Sequence, residues 1–153
     1  MKKNRAIKSE LYHLCLQSLN QRLGAVQRQI TEIQEALTSE TKSSAGDKHE
    51  TGRAMVQLER EKAGFQLYEI QKQQDTLSKV NVLKISETIC LGSVVFTTKS
   101  NYFMAISAGA FSIADEMFYA ISPSTPIGKL LLGKKKDDII FFNNQSIQIV
   151  SII

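Results

Sequence analysis

Apolar residues along the first forty positions recur with a strict helical rhythm. Tyr12, Leu16, Leu19, Leu23, Val26, Ile30, Ile33 and Leu37 are spaced 4, 3, 4, 3, 4, 3 and 4, the a/d seam of a coiled coil. The intervening residues are mostly Gln, Arg, Glu and Thr, a solvated face. This predicts a first helix from about residues 7–9 to Ser39, with Leu11 and Leu14 widening the apolar stripe near its start. Val56, Ala63, Leu67, Ile70 and Leu77 continue a 3/4 seam over a second helix from about Asp47 to Leu77. Arg60 and Gln74 are its polar members, and Met55, Leu58 and Phe65 flank it. The second seam is weaker and needs a close, fixed partner, which an antiparallel hairpin supplies at once. A parallel homodimer is the alternative, and the Ser- and Gly-rich break at 43–46 disfavours it.

From Lys79 the rhythm changes to β-branched runs. Strands are expected within residues 88–98, 102–106, 118–122, 139–142 and 146–152. Ser124-Thr125-Pro126 reads as a helix start with proline in the first turn, and Gly133 as its stop. Lys134-Lys135-Lys136-Asp137-Asp138 is a charged turn, and Asn143-Asn144 a hairpin turn. The expected fold class is α+β: a long antiparallel coiled-coil hairpin over residues 1–79, then a small antiparallel sheet domain with one short helix over 80–153.

Composition narrows the picture in three ways. At 153 residues and 42% apolar content the chain suits one ordinary domain or two small ones, folded rather than disordered. Residues 1–79 hold 13 Lys and Arg against 10 Asp and Glu, and residues 80–153 hold 6 against 5, so neither half carries the concentrated basic face of a duplex-DNA reader. Cys15 and Cys90 stand in apolar surroundings without metal or redox spacing, and read as buried thiols in a reducing compartment. Polar residues interrupt any signal-length apolar run after the basic start, and no stretch approaches the ~20 apolar residues of a membrane span. The expectation is a cytoplasmic protein.

Candidate chemistry concentrates at the hairpin turn, residues 43–52. Asp47 and Glu50 are three apart, which places both carboxylates on one side of a helix's first turn. Acids there favour the helix macrodipole, and that alone is one explanation for them. The other is presentation to a partner, because acids at the end of a helical hairpin have no core to support. His49 reads as a solvated turn residue, and His13 has no ligand-type neighbours. No Ser-His-Asp order, phosphate-binding loop or zinc spacing occurs.

Two stretches resemble the Gre transcript-cleavage factors of bacterial RNA polymerase. Ile121-Ser122-Pro123-Ser124-Thr125-Pro126-Ile127-Gly128-Lys129-Leu130-Leu131-Leu132-Gly133-Lys134 is similar to the family's signature "I-S-x-x-(S/T)-P-(I/L)-(G/A)-(K/R)-x-L-(I/L)-G-K", and Gly92-Ser93-Val94-Val95 to its "G-S-x-V" strand. At the turn, Gly46-Asp47-Lys48-His49-Glu50 resembles "G-D-(L/I)-(K/S/R)-E-N". The resemblance implies an FKBP-like C-terminal domain that grips the rim of the polymerase's secondary channel, with Ser124, Pro126, Ile127, Lys129, Leu130 and Lys134 as polymerase-binding residues. It implies a monomer whose hairpin enters that channel, donating Asp47 and Glu50 to a Mg²⁺ shared with the polymerase and so reaching the nascent RNA 3′ end indirectly. Mg²⁺ demands oxygen ligands and is commonly held by one or two carboxylates. The chain would have no active site of its own.

The turn also departs from the family. Thr51 replaces its Asn, Gly52 its helix-favouring residue, and Lys48 an apolar one. These changes motivate the alternative of a non-cleaving secondary-channel regulator. Two further readings are a plain coiled-coil adaptor and a prolyl isomerase. Against the isomerase, Phe96, Tyr102, Phe103, Phe111, Phe118, Tyr119, Phe141 and Phe142 sit mostly on strand candidates, where core packing explains them.

Overall fold

The computed structural model describes the backbone of residues 2–42 and 46–153, and the side chains of 2–39 and 52–153. Helix α1 spans Lys2–Lys42 and α2 spans Gly46–Ser78. Six strands and one short helix follow: β1 Val94–Thr97, β2 Asn101–Met104, β3 Gly109–Ile113, β4 Glu116–Ile121, α3 Pro126–Leu131, β5 Ile139–Phe142 and β6 Gln145–Ile152. The chain divides into two compact units, one made of Leu19–Gln74 and the other of Met1–Ser18 with Asp75–Ile153.

Within Leu19–Gln74 the two helices form the expected antiparallel hairpin. Arg22 Nη2 donates to Gln73 Oε1 at 2.7 Å, and a groove further along is lined by Val26 and Gln29 of α1 with Ile70 and Gln66 of α2. Ascending positions of α1 thus meet descending positions of α2. The buried residues Leu19, Val26 and Ile33 recur every seventh position, as do Ala63, Ile70 and Leu77. Leu23, Ile30, Leu37, Val56 and Leu67 are half-buried, because two helices with nothing packed against their flanks leave part of the seam open to solvent. Met55, Leu58 and Phe65 are exposed, as flanking positions should be.

Toward its start α1 departs from the expected seam. The residues buried there are Lys8, Leu11, Cys15 and Leu19, while Tyr12 and Leu16 are only half-buried. Spacings of 3, 4 and 4 follow a straight helix, whereas a strict seven-residue repeat requires supercoiling. The helix also begins at Lys2 rather than near Ile7, since no Gly, Pro or β-branched residue interrupts Lys2–Ala6.

The C-terminal strands form one sheet in the order β3-β4-β2-β1-β6-β5. It is mixed, not wholly antiparallel: β2 and β4 run parallel, with Phe103 opposite Ala120. Strand β3, absent from the sequence expectation, accounts for this. The chain goes from β2 to the sheet's edge as β3, then folds back through Ala114-Asp115 to place β4 between them. Both turn residues have positive φ, 51° and 64°, matching the tight hairpin turn whose twist suits its strands. β4 takes the inner slot because it carries the buried Phe118 and Ala120, whereas β3 buries only Ile113. The Asn143-Asn144 turn joins β5 to β6 with the same signature, φ 52° and 61°.

One face of the sheet packs with α3 through Ile89, Val95, Met104, Ile127, Leu131, Ile140, Ile147 and Ile149. Phe103 and Phe118 are fully buried, and Phe96 meets Phe118 edge-on at 5.8 Å. Phe141 and Tyr119, expected in the core, are 72% and 41% exposed, because they fall on outward positions of β5 and β4.

Candidate functional site

Asp47 and Glu50 fall in the first turn of α2 by backbone position. Their side chains, with those of Lys48, His49 and Thr51, lie outside the described residues. Gly52, the last of the departures, is half-buried within α2.

The helix-start motif before α3 is spent largely on its own architecture. Thr125 is the N-cap: its Oγ1 accepts from Gly128 N at 3.2 Å and donates to Ser122 O at 2.7 Å. Ser122 Oγ accepts from Ser124 N at 3.2 Å and shares a hydrogen bond with Ser124 Oγ at 2.8 Å. Pro126 occupies the first helical turn, where its missing N–H costs nothing. Thr125→Ala removes an acceptor from an orphan helix N–H, and should lower stability by about 1 kcal/mol in urea denaturation.

Of the residues expected to touch polymerase, Ser124, Pro126, Lys129, Leu130 and Lys134 are exposed. Ile127 is not. It is buried at 8% exposure beside Leu131 in the core, because the i, i+4 pair forms the inward face of so short a helix. The exposed apolar positions are Leu130 and Leu132.

Beyond α3, Gly133 N donates to Ile89 O and Ile89 N to Lys134 O, each at 2.8 Å. Lys135 N donates to Asp138 Oδ2 at 2.8 Å, closing the charged turn. The side chains of Lys134, Lys135 and Lys136 remain exposed. Lys129, Leu130 and Leu132 are exposed as well, as are Asp137 and Asp138 of the charged turn.

Lys8 was not among the residues the sequence singled out. It is only 4% exposed, and its Nζ donates to Lys84 O at 2.7 Å. Burial pushes its pKa below the ordinary 10.5, with an electrostatic interaction with Cys90 pulling the other way. Its place three residues before Leu11 on the buried stripe was the available signal. A folded-state pKa below the unfolded value means the native protein binds fewer protons between the two. Stability should therefore rise as pH climbs through that window towards 10.5. Lys8→Met should be neutral or stabilising by about 1 kcal/mol at neutral pH. It should also lose the alkaline gain, which denaturant titrations at neutral and alkaline pH will compare.

Cys15 is buried, Cys90 half-buried, and neither is in a disulfide. His13 is exposed and lies edge-on to Tyr12 at 6.0 Å. Among the described residues, no cluster of three or more His, Cys, Asp or Glu side chains is placed to hold a metal ion. None of the described helices is long and apolar enough to cross a membrane.

No family model matches the chain, and no curated protein does. A solved structure described as that of the transcription factor Gfh1 is similar, at 22% sequence identity over 92% of this chain and 92% of that one, with a TM-score of 0.34. At that identity and superposition the likeness carries no argument, and the fold rests on the elements described above.

Proposed function

We propose that this chain is an auxiliary transcription factor that enters the secondary channel of bacterial RNA polymerase and stimulates cleavage of backtracked nascent RNA. The observation behind this reading is an antiparallel helical hairpin whose returning helix begins at Gly46, putting the backbone of Asp47 and Glu50 in its first turn. Hard carboxylate oxygens suit Mg²⁺, which takes few protein ligands and keeps its waters. Two acids are too few to form a metal site, but enough to supplement one that another protein provides. Asp47 and Glu50 would hold the second Mg²⁺ jointly with the polymerase, and a metal pair supplies water activation and leaving-group stabilisation in phosphodiester hydrolysis. The chain's own part is to bring the two acids there. The exposed Lys129, Leu130 and Lys134 are the proposed grip on the channel rim, with Ser124 and Pro126 beside them.

The test is RNA cleavage in stalled, backtracked elongation complexes of core polymerase. Added protein should shorten the transcripts in a Mg²⁺-dependent way. No shortening, together with inhibited nucleotide addition, favours the second reading: a non-cleaving channel regulator. Lys48 and His49 beside the acids and Thr51 after them motivate that reading, because nearby cations oppose Mg²⁺ binding. A chain that does not bind polymerase at all would sink both.

A further inference from the structure

A cavity of about 400 Å³ lies in the unit formed by Met1–Ser18 and Asp75–Ile153, and its lining brings the cations Lys2, Arg5 and Lys8 and the polar Asn4 together with Val82, Leu83, Ile85, Ile152 and Ile153. That volume is within the range of small-molecule sites. The lining combines two chemistries. Lys8 is nine-tenths buried, yet its ammonium has one hydrogen-bond partner, a backbone carbonyl. An ammonium carries three donors, and a buried cation normally has a counter-charge. None of the three cations forms an ion pair among the described residues. The rest of the lining is mainly branched and aliphatic, and Leu83 and Ile85 are 60% and 77% exposed. No aromatic ring lines the cavity, so it offers nothing for a nucleobase to stack upon.

We propose that this cavity binds a single-chain aliphatic carboxylate, its head on Lys8 Nζ and Arg5 and its alkyl body against Leu83, Ile85 and Ile152. The anion adds a counter-charge beside the electrostatic contact that Lys8 already makes with Cys90, and fills its remaining donors. The chain covers two large apolar side chains that are otherwise in water. Both halves of the ligand are needed: a small anion lacks the apolar contact, and a neutral alcohol lacks the charge. The site is independent of the hairpin turn and of the proposed role in transcription.

Calorimetric titration of the full chain below the micellar range, with decanoate, 1-decanol and acetate, tests this. Decanoate should bind saturably, 1-decanol about tenfold or more weakly, and acetate without measurable heat. Lys8→Met should weaken decanoate about tenfold and leave 1-decanol unchanged. Leu83→Ser, at an exposed position that does not threaten folding, should weaken both about tenfold. Equal binding of decanoate and 1-decanol, decanoate affinity unmoved by either variant, or no saturable decanoate binding would overturn the proposal.

Discussion

Exchanging Glu50 for Gln should lower factor-dependent cleavage of backtracked RNA by about 10- to 100-fold, while polymerase affinity stays within about twofold. Asp47→Asn should do the same. Each exchange keeps the side chain's shape and removes one negative oxygen donor, so a loss of rate with retained binding isolates the contribution of charge. The double variant should be little worse than either single one, because two ligands of one ion act as a unit. The competing explanation is that the acids merely favour the start of α2. That role is worth about 0.3–1 kcal/mol, and its loss would appear as a small fall in hairpin stability with cleavage intact. Measuring helix content, polymerase binding and cleavage on the same variants separates the two. Full cleavage by both single variants would refute donation of the acids, whatever the wild type does.

The hairpin was legible because its seam repeats through α1 and α2, and the Ser- and Gly-rich break at 43–46 disfavours the parallel dimer that would bury the same pattern. Legibility failed where a second packing surface entered. At the start of α1, Lys8, Leu11 and Cys15 are buried at the expense of Tyr12 and Leu16, a choice the heptad pattern could not register. Strand β3 escaped because only Phe111 and Ile113 alternate around Ser112, while Gly109 and Ala110 are poor strand formers, so the run is too short to stand out. Without β3 the parallel pairing of β2 with β4 could not be inferred, since two strands joined by a simple hairpin are antiparallel. Helix α3 was read almost to the residue from Thr125, Pro126 and Gly133, whose signals are local. Of the candidate site, the spacing of Asp47 and Glu50 was visible in sequence, as were the exposed lysines after α3. The inward position of Ile127 needed the tertiary contacts of α3.

Gly128→Ala should cost about 3 kcal/mol in the unit that holds the sheet, although alanine is the better helix former by about 1 kcal/mol. Gly128 is buried inside α3, and a Cβ built there would lie within 2.2 Å of Ser122 O, 2.9 Å of Thr125 Oγ1 and 3.0 Å of Pro123 Cα. Two of these atoms belong to backbone, so relief requires displacing the 122–125 turn. That displacement strains the Thr125 cap, and the losses compound. Two other glycines calibrate the effect. Gly133 has φ +83° with nothing within 4 Å of its would-be Cβ, so Gly133→Ala should cost about 1 kcal/mol through conformation alone. Gly64, within α2, also meets nothing within 4 Å, and Gly64→Ala should stabilise the hairpin by about 0.4–1 kcal/mol. Urea denaturation should therefore rank the variants Gly64→Ala above wild type, then Gly133→Ala, then Gly128→Ala. A Gly128→Ala protein as stable as Gly133→Ala would mean that the 122–125 turn yields freely and that the Thr125 cap survives its displacement.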